Sequence, residues 1–193
     1  QINDHIKVCI NLNTFLSKSN ETDEGKYSAV SYTQHLPPIY PVMNEDGSYG
    51  SMVRNYEILA GDVASPIGFA EQINDHRKRY GGTGTLFAEW EIIEGLNYRI
   101  SLNGGIQDYR RNYYLPSYVD MDASRAPRIA QASDNTQNDL DWVIENTLTY
   151  QKTFAEKHNL SLLAGYTTQK HSNSNLYGEA RNFPNDNIFT LNA

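Results

Sequence analysis

The feature that most restricts this chain is a period of two. From Trp142 to Gln169 apolar and polar side chains alternate, break at a short polar stretch, and alternate again. Trp142, Ile144, Leu148 and Tyr150 share one parity, interrupted by Asn146 and closed by Phe154. Val143, Glu145, Thr147, Thr149, Gln151 and Thr153 hold the other and are nearly all polar. Beyond residues 155–159, Leu160, Leu162, Ala164 and Tyr166 resume the apolar parity against Ser161, Gly165, Thr167 and Gln169, with Leu163 out of step. Successive strand side chains project to opposite faces, so these residues predict a β-hairpin with one apolar and one polar face.

The same rule governs three more stretches. Ile6, Val8, Ile10 and Leu12 alternate with Lys7, Cys9, Asn11 and Asn13. Leu86, Ala88, Trp90 and Ile92 oppose Thr85, Glu89 and Glu91, with Phe87 breaking ranks. After a tight Ile93-Glu94-Gly95 turn, for which Gly95 can supply a positive φ, Leu96, Tyr98, Ile100, Leu102 and Ile106 oppose Asn97, Arg99, Ser101, Asn103 and Gln107. Five strands are expected, near 5–16, 83–93, 96–110, 141–154 and 160–170, and no segment shows a sustained helical period. The connections are unequal. Residues 93–95 and 155–159 are tight, whereas 17–79, 111–140 and 171–193 are long and rich in Asn, Ser, Asp, Pro and Tyr.

Composition narrows what each face can meet. The 193 residues carry a net charge of −7, an acidic balance that argues against nucleic acid as a partner. Mean hydropathy is −0.62, and no run approaches the roughly 18 apolar residues of a membrane helix. Membrane barrels escape that criterion, because alternation keeps their mean hydropathy low. Cys9 is the single cysteine, so a disulfide framework or a cysteine-based zinc site within the chain is excluded. Gln1 begins almost inside a strand pattern and the last residues read as loop, which suggests a piece of a longer protein.

Loops beyond roughly 15 residues are uncommon in compact soluble domains. Short turns at one end and long loops at the other are the asymmetry of outer-membrane barrels, whose turns are periplasmic and whose loops are external. The apolar parity carries bulky residues, with Trp90, Tyr98, Trp142, Tyr150 and Phe154 near strand ends, where aromatic girdles sit. The other parity carries charges and amides, costly in hydrocarbon but cheap in a wet lumen. Arg99, Asn103, Gln107, Glu145 and Gln151 are the candidate lumen-lining residues. A secreted β-sandwich that binds carbohydrate also alternates, with its apolar face packed on a second sheet. That alternative stays open, as does an outer-membrane adhesin or receptor without transport.

Longer stretches carry more than a pattern. ENTLTYQKTFAEKHNLSLLAGYTTQK, followed by ARNFPNDNIFTLNA, resembles the SusC/RagA family of TonB-linked outer-membrane proteins. In that family a strand ending in TLTYxKTF turns into HxLxxLAGYxxQ, and a loop then carries FPND. PPIYPVMNEDGSYG at 37–50 is similar to a family loop segment. ASPIGFAEQ at 64–72 sits where NPxxxAE is usual, with Ser65 in place of the Asn. The resemblance implies an all-β fold, a segment of a large antiparallel transmembrane β-barrel with long extracellular loops, in the outer membrane of a Gram-negative bacterium. It implies an importer of oligomeric nutrients, glycans first and peptides second, without cofactor or enzymatic chemistry. The partners implied are a TonB complex and a SusD-like surface lipoprotein, with the plug domain outside this chain.

Motifs for chemistry are weak. The five histidines are scattered without metal-ligand spacing, and no G-x-S-x-G occurs. YGGTGT at 80–85 lacks the Walker lysine and is followed by a strand. NEDG at 44–47 has Val42 where a calcium loop needs its first acid, so a turn is expected. Asp120 and Asp122 are candidates for a cation. Glu89 and Glu91 share a strand face like an acid/base pair, but solvated lumen carboxylates need no such role. Arg110, Arg111, Tyr113, Tyr114 and Tyr118 form an aromatic-rich cluster suited to sugar faces or peptide side chains, or to packing the loop itself.

Overall fold

The computed structural model describes residues 5–21, 29–35, 37–39, 41–50, 65–117, 129–188 and 190–191. They form one antiparallel sheet of five strands in sequence order, β1 (Ile6–Asn20), β2 (Asn74–Ile93), β3 (Leu96–Leu115), β4 (Gln131–Phe154) and β5 (His158–Arg181). Two short helices, α1 (Ala29–His35) and α2 (Pro66–Gln72), lie between β1 and β2 in sequence. The sheet is not closed, since β1 and β5 are its edges, and open edges leave unpaired backbone donors and acceptors. Asp120, Asp122 and Tyr118 fall outside the described residues.

The chain divides into two compact units. The first comprises residues 1–17, 79–109 and 137–175 and contains both tight turns. Gly95 has φ +80°, and a Cβ there would lie 2.2 Å from the Gln151 carbonyl oxygen, so the turn needs glycine on two counts. At the second turn Ala155 and Glu156 have φ 51° and 55°, and Lys157 N–H donates to the Phe154 carbonyl at 3.2 Å. Two successive positive φ values match the right-handed twist of the hairpin. Within this unit parity is kept from strand to strand. Thr85 meets Asn103, Ser101 meets Glu145, and Thr153 meets Asn159 on one face, while Tyr98 meets Asn146 on the other.

The apolar face of this unit stays largely exposed among the described residues. Leu86 is 45 % exposed, Ile106 60 %, Leu148 39 % and Leu162 55 %. A sandwich would bury such residues between sheets, and the described residues form a single named sheet. The sandwich alternative therefore finds no second sheet among the described residues.

The second unit, residues 18–78, 110–136 and 176–193, holds the buried hydrophobic residues among those described. Ala29 and Tyr32 of α1 pack on Phe69 of α2 and on Ile73, with the Tyr32 and Phe69 rings edge to face at 5.4 Å. Tyr114, Ala130 and Ala132 form a second cluster with Phe183 and Leu191. The Asn44–Gly47 turn closes by a Gly47 N–H to Asn44 carbonyl bond at 3.0 Å, with Gly47 at φ +79°. Tyr49, beyond it, lays its ring against Gly68 and donates its hydroxyl to Glu71.

Two expectations are corrected. The strands are longer than the alternation implied: 17–20, 74–82, 111–115, 131–140 and 171–181 belong to them rather than to loops. Most residues of these extensions are polar whichever parity they occupy, so period two fades from the hydropathy while the backbone ladder continues. Helices also occur where no period was visible, because seven residues span less than two turns. The signal for α2 is its start: the Ser65 side chain accepts from Gly68 N–H at 3.2 Å and Pro66 follows at the first helical position.

The turn at 155–156 yields a test. Neither Ala nor Glu favours a positive φ, which costs about 1 kcal/mol or more per residue. Ala155→Asn combined with Glu156→Gly should stabilise the full-length protein by about 1–2 kcal/mol, read as a higher urea midpoint after refolding into vesicles.

Candidate functional site

The polar face of the first unit is a connected wall. Ser101 Oγ donates to Glu145 Oε2 at 3.1 Å, and Asn103 Nδ2 donates to the same oxygen at 3.2 Å. Thr85 Oγ1 donates to Asn103 Oδ1 at 2.9 Å. One strand pair away, Arg99 Nη1 lies 3.1 Å from Glu89 Oε1 and Lys7 Nζ lies 3.5 Å from Glu89 Oε2. Glu89, Asn97, Arg99, Ser101, Glu145 and Thr147 help line an open concavity of about 580 Å³. Of the predicted lumen-lining set, the structure joins Arg99, Asn103 and Glu145 in this region; Gln107 and Gln151 share their strand parity.

Phe87 explains its break in the pattern. It is on the polar parity, where the Arg99 guanidinium sits 4.3 Å from its ring centroid and the Lys7 ammonium 5.8 Å. An aromatic face beneath two cations holds them by cation–π attraction, and adds an apolar platform to an otherwise hydrophilic wall. Sequence parity could identify Phe87 as an exception but not its two cationic neighbours, which come from other strands.

The apolar face has a matching exception. Asn146 accepts a 2.6 Å hydrogen bond from the Tyr98 hydroxyl, both on the apolar parity. The phenol gives the amide oxygen a partner on a face that is otherwise largely apolar. This face also has an open depression of about 790 Å³, floored by Gly82, Gly84 and Gly104 and rimmed by residues such as Leu12, Leu86 and Ile106.

The Arg/Tyr cluster does not assemble at one place. Alternation along β3 sends Arg111 and Tyr113 to one parity and Arg110 and Tyr114 to the other. Arg111 is held by Asp75, its Nε 2.8 Å from Oδ1 and its Nη2 2.7 Å from Oδ2, while Arg77 grips the same carboxylate at 3.2 and 2.7 Å. The Asp75 side chain is fully buried. Burial works against its charge, but the hydrogen bonds and charges of Arg111 and Arg77 outweigh it and hold the carboxyl below its usual value. The Arg111 guanidinium also lies 5.2 Å from the Tyr113 ring centroid. Tyr114 is 4 % exposed and edge to face with Phe183 at 5.7 Å. Its hydroxyl donates to Asp186 Oδ1 at 2.8 Å, and Ser117 donates to Asp186 from its backbone N–H at 2.8 Å and its hydroxyl at 2.7 Å. The FPND stretch is therefore a clamp on the end of β3. Among the described residues no group of three or more His, Cys, Asp or Glu side chains could hold a metal ion.

No family model matches the chain. The TonB-dependent receptor P3 of Formosa agariphila is 28 % identical over 164 residues, which cover 85 % of this chain and 16 % of that receptor. The TonB-dependent receptor P26 of the same organism is 25 % identical over 77 % of this chain and 15 % of its own length. Among solved structures, the RagAB peptide importer in its open-open state superposes with a TM-score of 0.74 at 18 % identity, across all of this chain and 21 % of that one. Its closed-closed state gives 0.73 at 17 %. The chain thus spans about a sixth of the curated receptors it matches. The family resemblance and the barrel-segment fold both stand, and with them an outer-membrane location.

Two outcomes follow from this geometry. Tyr98→Phe should cost about 1–3 kcal/mol by stranding the Asn146 amide, and Tyr98→Phe with Asn146→Leu should recover most of it, as a double-mutant cycle on urea midpoints would reveal. Burial, then the hydrogen bond and charge of Asp186, push the Tyr114 phenol up from 10 to about 12. The apolar run on β3 ends at Ile106, so Tyr114 lies beyond the membrane span. The neutral phenol is the favoured folded form, so its contribution, about 2–3 kcal/mol, is complete below pH 10 and is lost as pH rises to about 12. Tyr114→Phe should remove that loss: between pH 9 and 11.5 the midpoint of the wild type should fall further than that of the variant.

Proposed function

We propose that this segment of a TonB-dependent outer-membrane receptor forms part of the wall through which the whole protein imports oligomeric nutrients. The observation that carries the reading is the division of one sheet into a bare apolar face and a hydrogen-bonded polar face. Side chains on the first match acyl tails; those on the second match a water-filled passage. A passage of this kind needs no covalent chemistry. Its wall needs donors, acceptors and solvated charges that a hydrophilic oligomer can touch and leave.

Oligosaccharides are the first cargo we assign. Glu145, Asn103, Ser101 and Arg99 supply hydroxyl-binding groups, and the Phe87 ring supplies a flat apolar surface of the sort that sugar C–H faces favour. Peptides are the second reading, favoured by the likeness in fold to a peptide importer. A TonB complex would energise import, a plug elsewhere in the protein would gate it, and a SusD-like lipoprotein would cover the mouth. Gln107 and Gln151 would extend the wall, and Tyr113 at the end of β3 would face the mouth.

Deletion and complementation in the native host test this. The full-length gene should restore growth on defined oligosaccharides, and depletion of TonB should abolish it. Arg99→Ala with Glu145→Ala should leave the amount of protein in the outer membrane unchanged while altering uptake severalfold. Uptake that is indifferent to TonB would refute the importer reading, and restored growth on peptides alone would assign the second cargo.

A further inference from the structure

The depression on the apolar face of the first unit is floored by two glycines that stand side by side. Lys7 lies opposite Glu89 and Leu12 opposite Gly84 on β1 and β2. Thr85 meets Asn103 on β2 and β3, and Ser101 meets Glu145 on β3 and β4. Carried along the antiparallel strands, these pairings give one rung on the apolar parity, Leu12–Gly84–Gly104–Trp142. All four residues belong to the first unit. A Cβ on Gly84 would lie 3.4 Å from Leu12 Cδ1, and one on Gly104 would lie 4.0 Å from Trp142 Cβ, as that rung requires.

Glycine inside a strand costs about 0.5–1 kcal/mol relative to alanine. Where it stands, it marks a bulge, a tight bend or the close approach of another group. No bulge interrupts this rung, because Thr83 faces Gly105 on one side of it and Thr85 faces Asn103 on the other. Neither Gly84 nor Gly104 has a positive φ. Nor does the sheet need the space, since an added Cβ would meet nothing nearer than 3.4 Å at Gly84 and 3.5 Å at Gly104, which is ordinary contact. Gly82 differs: its Cβ would lie 2.9 Å from the Asn13 carbonyl oxygen, so the backbone itself demands glycine there. What Gly84 and Gly104 keep open is the space outside the sheet.

That space is a bounded basin of about 790 Å³. Leu86 and Leu102 close it towards the tight turns, Tyr80 and Ile106 close it towards the other strand ends, and Leu12 and Trp142 form its sides.

We propose that the basin holds one acyl chain of an outer-membrane lipid. The assignment rests on the reading that the apolar face meets the bilayer, and the basin is continuous with that face. Its rim residues Leu12, 72 % exposed, and Ile106, 60 %, share the outward parity of Leu148 and Leu162. On a plain stretch of the face an acyl chain touches only side-chain tips. In the basin it reaches the backbone of two strands and lies between aliphatic walls and an indole. Width selects this occupant. From β1 to β4 is three strand intervals, about 14 Å, and the Leu12 and Trp142 side chains stand up from both margins. A neighbouring helix, about 10–12 Å across with its side chains, would rest on the rim, whereas a polymethylene chain enters.

The test uses the full-length protein in phosphatidylcholine bilayers that carry a trace of phosphatidylcholine with a diazirine midway along one acyl chain. After illumination, mass spectrometry counts lipid adducts on leucines, so that like is compared with like. Adducts on Leu12 and Leu86 should exceed those on Leu148 and Leu162 about threefold. Gly84→Leu/Gly104→Leu fills the basin and should abolish the excess while leaving Leu148 and Leu162 unchanged. Equal labelling of the four leucines in the wild type, or an excess that survives filling, overturns the proposal. Labelling of Leu148 and Leu162 alone also overturns it, because another protein segment then covers the basin. If the filled variant fails to fold, Gly84→Ala/Gly104→Ala replaces it and should lower the excess about twofold; an unchanged excess overturns the proposal. Labelling of none of the four removes the bilayer reading beneath it, whereas even labelling leaves that reading standing and removes only the lodged chain.

Discussion

Everything in this chain follows from the strict two-residue period of strand side chains, because one sheet then has to satisfy two solvents at once. A slip of one residue would move every leucine and isoleucine to the polar side and every carboxylate to the apolar side. Five strands keep their parity without such a slip, and polar pairs such as Ser101–Glu145, Thr85–Asn103 and Thr153–Asn159 mark one side consistently. Backbone groups in hydrocarbon must be paired within the sheet. That requirement explains why the elements with bare apolar faces are long antiparallel strands, joined at one end by turns that hold positive φ values.

Two departures from the period are matched by a partner. Asn146 on the apolar parity has the Tyr98 phenol, and Phe87 on the polar parity has the Arg99 and Lys7 cations. Beyond the apolar run a different kind of stabilisation takes over. Asp75 anchors Arg77 and Arg111 from a fully buried position, and Asp186 ties Tyr114 and Ser117 to the end of β3. Charge-assisted hydrogen bonds are strong where water is excluded, so carboxylates hold together a region that lacks a continuous apolar face.

The legible part of the fold was the part with a solvent difference across the sheet. The hairpins at 83–110 and 141–170 and the five-strand count follow from hydropathy, since Leu86, Trp90, Leu102 and Leu148 announce their face. The strand extensions do not, because at 74–79 or 171–181 most residues are polar whichever parity they occupy and only the backbone ladder reveals a strand. Helix α2 was readable from Ser65 and Pro66 but not from periodicity. Of the candidate site, parity located Arg99, Asn103 and Glu145 on one wall. It also implies that Arg110 and Arg111 point apart, which proximity along the chain conceals. Asp75 gave no sign of its role, since its two arginine partners converge only once β2 and β3 pair.

Spin labels at successive positions from Asn97 to Ile106 of the full-length protein in bilayers test the central claim most directly, with Cys9 replaced by Ser. Collision rates with oxygen and with a water-soluble nickel complex should oscillate with period two, oxygen favouring Ile100, Leu102 and Ile106, nickel favouring Arg99, Ser101 and Asn103. An absent oscillation, or one of opposite phase, would contradict the account.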